Sequence, residues 1–222
     1  MSNFPQAPAA RMDGRTARAA LRRTERREQI LAAARRVFGK RGYHGTVVEH
    51  IMADAGIARG TFYLYFNGKR DVFARLLDQL LASVRESIQA VRVGPGASPP
   101  IQQLRANVAR VAAALLADPD FARLLLREPV GIDPEFDARI GAFYGELGAT
   151  LERSLATGRE FGLVRTVDVK VVARCVLGAT KEALLAVLQR HERDAEGAQR
   201  EAHRAVEELL RFVLTGVLDP HR

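Results

Sequence analysis

From Thr24 onward, apolar residues recur at helical spacing with few interruptions, and this periodicity constrains the fold more than any other feature of the sequence. Alternation of the kind a half-buried strand needs is scarce, while Ala, Leu, Arg and Glu, all good helix formers, dominate. The class is therefore expected to be all-α. A first helix is read over about Thr24 to Lys40, with Ile30, Leu31, Ala34, Val37 and Phe38 on one face. Gly42 ends it. A short second helix follows, with Thr46 as its N-cap and Val48, Ile51, Met52 and Ala55 along one side. Ala55-Gly56-Ile57 is read as a tight turn, with Gly56 left-handed so that one helix can stop and another start at once. A third helix is read from Ala58 to about Phe66. It is too short to stand alone, so Ile57, Phe62 and Phe66 must anchor it on the first two.

A long fourth helix is expected from Lys69 to about Val91, with Val72, Phe73, Leu76, Leu77, Leu80, Leu81 and Val84 inward. GPGASPP at 94–100 is the clearest breaker. Beyond it, helices are expected at about 100–117, 120–127, 134–158, 167–191 and 195–217, punctuated by Asp118-Pro119, Glu128-Pro129 and the stretch Gly131 to Pro134. The first twenty or so residues contain Pro5 and Pro8 and no apolar period, and read as a flexible basic arm carrying Arg11, Arg15 and Arg18.

Charge is segregated along the chain. Residues 1–75 carry 15 Lys and Arg against 6 Asp and Glu, whereas the remaining 147 residues carry 19 against 20. A positive excess confined to one end is the electrostatic footprint of a polyanion-binding module. Two short helices joined by a Gly-containing turn, packed on an amphipathic helix, make a helix-turn-helix whose second short helix enters the major groove of DNA. No uninterrupted apolar run is long enough to cross a membrane and the N-terminal residues contain no signal-peptide core, so a cytoplasmic location is expected. The single Cys175 lies in an apolar run and reads as a small core or interface residue.

The stretch Arg26 to Leu77 resembles the DNA-binding domain of the TetR family along its whole length. Ile30-Leu31-x-Ala-Ala, Phe38-x-x-x-Gly42-Tyr43, Gly45-Thr46, Ile51, Ala55-Gly56 and, above all, GTFYLYF at 60–66 followed by Lys69 carry the likeness. The resemblance implies a helix-turn-helix domain at 22–68 behind the arm at 1–21, a connecting helix at 69–93, and a helical effector-binding and dimerisation domain at 94–222. It also implies DNA contacts by Thr46, Arg59, Gly60, Thr61, Tyr63, Tyr65 and Lys69. The chemistry agrees: Arg59 can read a guanine edge bidentately, and Gly60 lets the backbone approach a base or a thymine methyl. Thr46, Tyr63, Tyr65 and Lys69 offer donors to phosphates. Val47 and Ala58 stand where the family commonly has a hydroxyl residue, so a capping or phosphate contact is missing at each. The basic residues from Arg11 to Arg23 offer a replacement by tracking the minor groove or backbone.

By the same resemblance, the partners expected are double-stranded operator DNA, a second copy of the chain and a small hydrophobic effector. An apolar pocket is expected from Leu104, Val108, Val111, Phe121, Leu125, Phe136, Phe143, Tyr144 and Leu147, with plain core as the competing reading for each. An acyl thioester of coenzyme A is one ligand class for it, with Arg123, Arg127 or Arg139 serving the phosphates. The dimer face is expected on the last two helices, from Val172, Val176, Ala179, Ala183 and Leu184 and from Val206, Leu209, Leu210, Val213 and Leu214, with ordinary intrachain core as the competing reading for about half of them. No nucleophile elbow, Walker loop or HExxH occurs, and the five histidines show no ligand spacing, so neither an enzyme nor a cofactor is expected. The function implied is a ligand-relieved repressor on a palindromic operator. The alternative is an activator, or a nucleoid-type DNA binder without an effector.

Overall fold

A computed structural model describes residues 14–92, 94–127, 133–191 and 195–217. The regular elements of these residues are nine helices: α1 (Gly14–Arg41), α2 (Val48–Ala55), α3 (Arg59–Tyr63), α4 (Lys69–Ser87), α5 (Pro100–Leu116), α6 (Pro119–Arg127), α7 (Pro134–Glu160), α8 (Val169–His191) and α9 (Ala195–Val217). The all-α class holds, and from α5 onward each helix lies within about two residues of its expected bounds.

Three local differences stand out, and the first two have clear physical causes. Helix α1 begins ten residues early: residues 14–21, expected in the flexible arm, are helical, while 1–13 lie outside the described residues. Ala- and Arg-rich sequence can propagate a helix that has already been nucleated, without any apolar face of its own. Helix α4 ends at Ser87 rather than near Val91. There the side-chain amides of α5 take over the backbone pairing: Asn107 receives the Gln89 N–H at 2.9 Å and donates to its carbonyl at 2.8 Å, and Gln103 does the same for Arg92. The recognition-helix segment is shorter than expected, Arg59–Tyr63 instead of 58–66. The breakers at 128–132 fall outside the described residues.

The main apolar core joins the N-terminal helices to the middle of the chain. Ile30, Leu31, Ala34, Val37 and Phe38 of α1, Ile51 of α2, Phe62 and Phe66 around α3, and Val72, Phe73, Leu76 and Leu77 of α4 pack with Phe121 and Leu125 of α6 and Phe136 and Ile140 of α7. The ring of Phe73 lies at the centre, 4.8 to 5.5 Å from those of Phe38, Tyr43, Phe121 and Phe136. Helices α1 and α6 approach so closely that a Cβ added to Gly39 would fall 2.5 Å from the Asp120 Cβ. A second cluster, from Val84, Ala112, Leu115, Ala122, Phe143, Leu184 and Leu188, joins α4, α5, α6, α7 and α8.

An ion-pair clamp ties the start of α4 to the start of α7. Arg70 donates to Asp133 at 2.9 and 3.0 Å and to Glu135 at 2.7 Å, and Arg139 bridges Glu135 to Asp78 of α4. Asp133 also caps α7 by accepting the Glu135 N–H at 2.9 Å. The Arg70 guanidinium holds the Asp133 carboxyl down at about 2, well below the usual carboxylate range. A carboxyl with a depressed folded-state value stabilises the fold fully above its unfolded value, near 4, and loses that contribution as pH falls. Asp133→Asn, which keeps the cap but not the charge, should therefore lower the thermal midpoint by a constant amount from neutral pH down to about pH 4. The difference from wild type should then close towards pH 2. A difference that persisted unchanged at pH 2 would show that the charge of Asp133 is not what α7 loses.

Candidate functional site

The helix-turn-helix is built from α2, the turn at Gly56 and α3. Gly56 adopts φ 63° and ψ 39°, and the Ile57 N–H reaches back to the Met52 carbonyl at 3.1 Å, satisfying a carbonyl that the end of α2 leaves open. Helix α3 is then fixed by its inner side, where Phe62 and Phe66 are buried at 0% and 2% exposure. Its outer side presents Arg59, Gly60, Tyr63 and Leu64 to solvent, with Thr61 half-buried. Arg59 lies 3.5 Å from Glu49 of α2 and 5.8 Å from the Tyr63 ring centroid, a loose exposed pairing that a stronger partner can replace. A Cβ at Gly60 would meet nothing within 4 Å, so the backbone there is open to close approach.

Three expected phosphate contacts are placed differently. Thr46 is fully buried; its hydroxyl donates to the Gly42 carbonyl at 2.7 Å, and the N-cap of α2 is Val47. The cap is completed from the other side by His50, whose Nδ1 accepts the Val47 N–H at 3.3 Å. Lys69 also turns inward. Its ammonium donates to the carbonyls of Tyr43 and Thr46 at 2.9 and 2.8 Å and sits 4.5 Å from the Tyr43 ring centroid, so it binds α4 to the loop before α2. Tyr65 is half-buried against the main core.

Two apolar side chains stand exposed beside this surface: Leu64 at 73%, which was not among the expected contacts, and Val47 at 46%, noted only for the hydroxyl it lacks. The signal for Leu64 was available: Phe62 and Phe66, four apart, define the inner stripe of a helical segment, and a residue midway between them points the other way.

The expected effector pocket is not an open space. Phe121, Leu125 and Phe136 are packed into the main core and Phe143 into the second cluster, while Leu104, Val108, Val111, Tyr144 and Leu147 are half-buried. Val108 borders a slot of about 10 Å³, far below the size of an organic ligand, with Ala183, Leu184, Val187, Ala205, Val206 and Leu209. A larger recess of about 280 Å³ lies between the end of α4 and α5, walled by Gln89, Gln102, Gln103, Asn107 and Arg110. Its walls are polar, unlike the expected pocket. The arginines expected to hold phosphates are engaged elsewhere, Arg139 with Asp78 and Glu135 and Arg123 with Asp120, while the side chain of Arg127 lies outside the described residues. The apolar counts could not tell residues that line a cavity from residues that fill it.

Helices α8 and α9 pack along one another. Within the single chain Leu184, Val206 and Leu210 are already buried, whereas Val172, Val176, Ala179, Ala183, Leu209 and Val213 are half-buried, and the side chain of Leu214 lies outside the described residues. Cys175, expected in the core or at an interface, is exposed within the single chain and so is not core, and Val171 and Phe212 are exposed too. Among the described residues no helix is long and apolar enough to cross a membrane, and no cluster of His, Cys, Asp and Glu could hold a metal ion.

Comparison with known proteins agrees with this architecture. Residues 30–76 match the family described as bacterial regulatory proteins, tetR family, and residues 97–185 match the tetracyclin repressor-like C-terminal domain. The HTH-type transcriptional repressor NicS of Pseudomonas putida is 29% identical over 141 residues, 63% of this chain and 66% of its own length. Among solved structures, the fatty acid degradation regulator FadR of Bacillus halodurans superposes with a TM-score of 0.65 at 23% identity, covering 86% of this chain and 95% of its own. The triclosan complex of SmeT, a repressor from Stenotrophomonas maltophilia, superposes at 0.63 with 23% identity, covering 88% and 93%. With both of its halves matched and its α3 presented outward on a buried aromatic anchor, the chain belongs to the TetR family of bacterial transcriptional regulators, which bind DNA and are not enzymes.

Proposed function

We propose that the protein is a repressor that binds a palindromic operator as a homodimer and is released by a small hydrophobic effector. The observation that carries the operator reading is the outer side of α3, where Arg59, Gly60 and Tyr63 stand exposed around an open backbone. Arg59 is suited to a guanine edge, Tyr63 to a phosphate, and Leu64 and Val47 add apolar surface suited to thymine methyls. With one such helix per chain, two half-sites require two chains related by a two-fold axis. The half-buried stripes of α8 and α9, with Val171 and Phe212 bare beside them, are apolar surface of the kind a partner chain would cover.

Release by a ligand requires that ligand to prefer a different conformation. Turning a mostly bound population into a mostly free one takes a preference of about 5 kcal/mol. Because Phe121, Leu125 and Phe143 are packed, an apolar effector would have to part the helices to enter, and that rearrangement is itself a route to moving α4 through α6 and α7. The same packing favours a second reading, a DNA-binding regulator without an effector.

The test is a footprint of the purified protein on the DNA flanking its own gene, repeated with a panel of fatty acids, acyl-coenzyme A thioesters and aromatic compounds. Protection of a short palindrome that one ligand abolishes is the expected result. Protection that no ligand alters would favour the effector-free reading, and diffuse protection without a palindrome would overturn operator recognition.

A further inference from the structure

Helix α1 is more than twice as long as the part of it that supports the fold. Its first buried residue is Ile30, and every residue from Thr16 to Gln29 is exposed, including Leu21 at 60%. The portion ahead of Ile30 makes about 24 Å of helix at 1.5 Å per residue. Arg18, Arg22 and Arg26 recur at four-residue spacing along one line of this helix, and Arg23 and Arg27 follow the same spacing along the neighbouring line. Five arginines are thus set against only two acids, Glu25 and Glu28. Among the described residues Arg18, Arg22 and Arg23 have no hydrogen-bond or ion-pair partner. The line of charge is also physically continuous with the DNA reader, because the guanidinium of Arg27 stacks 5.4 Å from the ring centroid of Phe66, immediately beyond α3.

We infer that this N-terminal extension of α1 is a second DNA-binding element, a rigid basic helix that lies along the phosphates of the duplex flanking each half-site. The assignment rests on the operator-binding reading above and adds to it a contact outside the major groove. A solvent-exposed helix has no reason of its own to concentrate like charges at four-residue spacing, since such pairs repel by a few tenths of a kcal/mol each. A polyanion removes that repulsion, and duplex DNA presents one charge per about 1.7 Å of axis. The chemistry required is a row of point charges, so sequence-independent phosphate contact follows rather than base reading. Because the extension grows from an already nucleated helix, it meets DNA with little ordering left to do.

The experiment uses the full chain and a duplex selected by the protein from a random library, prepared both as the selected core and with eight base pairs of arbitrary flank on each side. Wild type is expected to bind the flanked duplex more tightly. The triple variant Arg18→Gln, Arg22→Gln, Arg23→Gln should lose that advantage. It should also show a shallower dependence of log affinity on log salt, by about 0.9 for each arginine that reaches a phosphate and by up to about 5 for three arginines in each of two chains. The triple Arg→Lys variant should keep both properties, since a phosphate accepts either cation whereas a bidentate base contact does not. Far-ultraviolet circular dichroism and the thermal midpoint should change little, the extension being outside the core.

Equal salt slopes and equal flank dependence in wild type and the Gln variant, with the core still bound, would overturn the extension's role and leave operator reading intact. A change in oligomeric mass with flank dependence unaltered would make the helix a contact between copies and overturn the DNA assignment. If wild type enriched no duplex at all, the operator reading and this inference would fall together.

Discussion

Phe73→Ala is expected to remove about 3–5 kcal/mol of folding stability, the range for deleting a large buried aromatic side chain. The reason is position as much as size. Phe73 is fully buried, and its ring meets those of Phe38, Tyr43, Phe121 and Phe136 within 4.8 to 5.5 Å, three of them edge-on at interplanar angles of 83°, 69° and 67°. Edge-to-face contacts of this kind contribute about 0.5–1.5 kcal/mol each beyond the area they bury. A domain of this size has only about 5–15 kcal/mol to lose, so the variant should unfold at markedly lower urea concentration. Phe73→Leu, which conserves much of the volume, should fall in between. Equilibrium unfolding followed by circular dichroism checks this, and a Phe73→Ala midpoint within error of wild type would show that the cluster does not hold the fold. Because the same ring touches α1, α6 and α7, DNA binding should be lost over the same denaturant range as the C-terminal helices.

Arg59→Ala should cost about 1–3 kcal/mol of discrimination at each half-site, or roughly 5- to 150-fold, and the loss should be felt twice on a palindrome. Arg59 is mostly exposed, and its partners in the free protein, Glu49 and the Tyr63 ring, are loose enough to be exchanged for a base edge. The informative companion is Arg59→Lys. If the guanidinium reads a guanine through two parallel hydrogen bonds, lysine should preserve the salt dependence while the preference for selected over scrambled duplex collapses. Fluorescence anisotropy on both duplexes across a salt series separates the outcomes. A loss that was uniform across sequences and accompanied by a shallower salt slope would make Arg59 a phosphate contact instead.

The helical class and the placement of nearly every element were legible because long amphipathic segments repeat one signal many times over. Phe62 and Phe66 as anchors of α3, and Gly56 as the left-handed turn, followed from spacing and backbone chemistry alone. Single polar residues were another matter. Thr46 carries the chemistry of a helix cap, but its hydroxyl is fully buried and satisfied by the Gly42 carbonyl, which nothing in the linear order announces. Lys69 has the charge of a phosphate ligand and the length to turn back on two carbonyls, and the folded loop at Tyr43 decides between them. The beginning of α1 was missed because a helix that extends one already formed needs only propensity, whereas the reading required an apolar stripe. Phe121, Leu125 and Phe143 were recognised as interior residues; whether an interior encloses a void depends on how helices from distant parts of the chain interdigitate.

The shared aromatic core limits how far this protein can be treated as interchangeable parts. Regulators of this architecture invite the idea of joining one chain's operator reader to another chain's sensor to make a new switch. Here the reader's own interior is completed by Phe121, Leu125, Phe136 and Ile140, and the surface of α1 at Gly39 has room only for the backbone-level approach of α6. A chimera cut at residues 88–99 would leave Phe38, Tyr43 and Phe73 facing whatever rings the new sensor happened to bring. A workable graft would have to carry α6 and the first turns of α7 along with α1 to α4, so the portable unit of this protein is discontinuous in sequence.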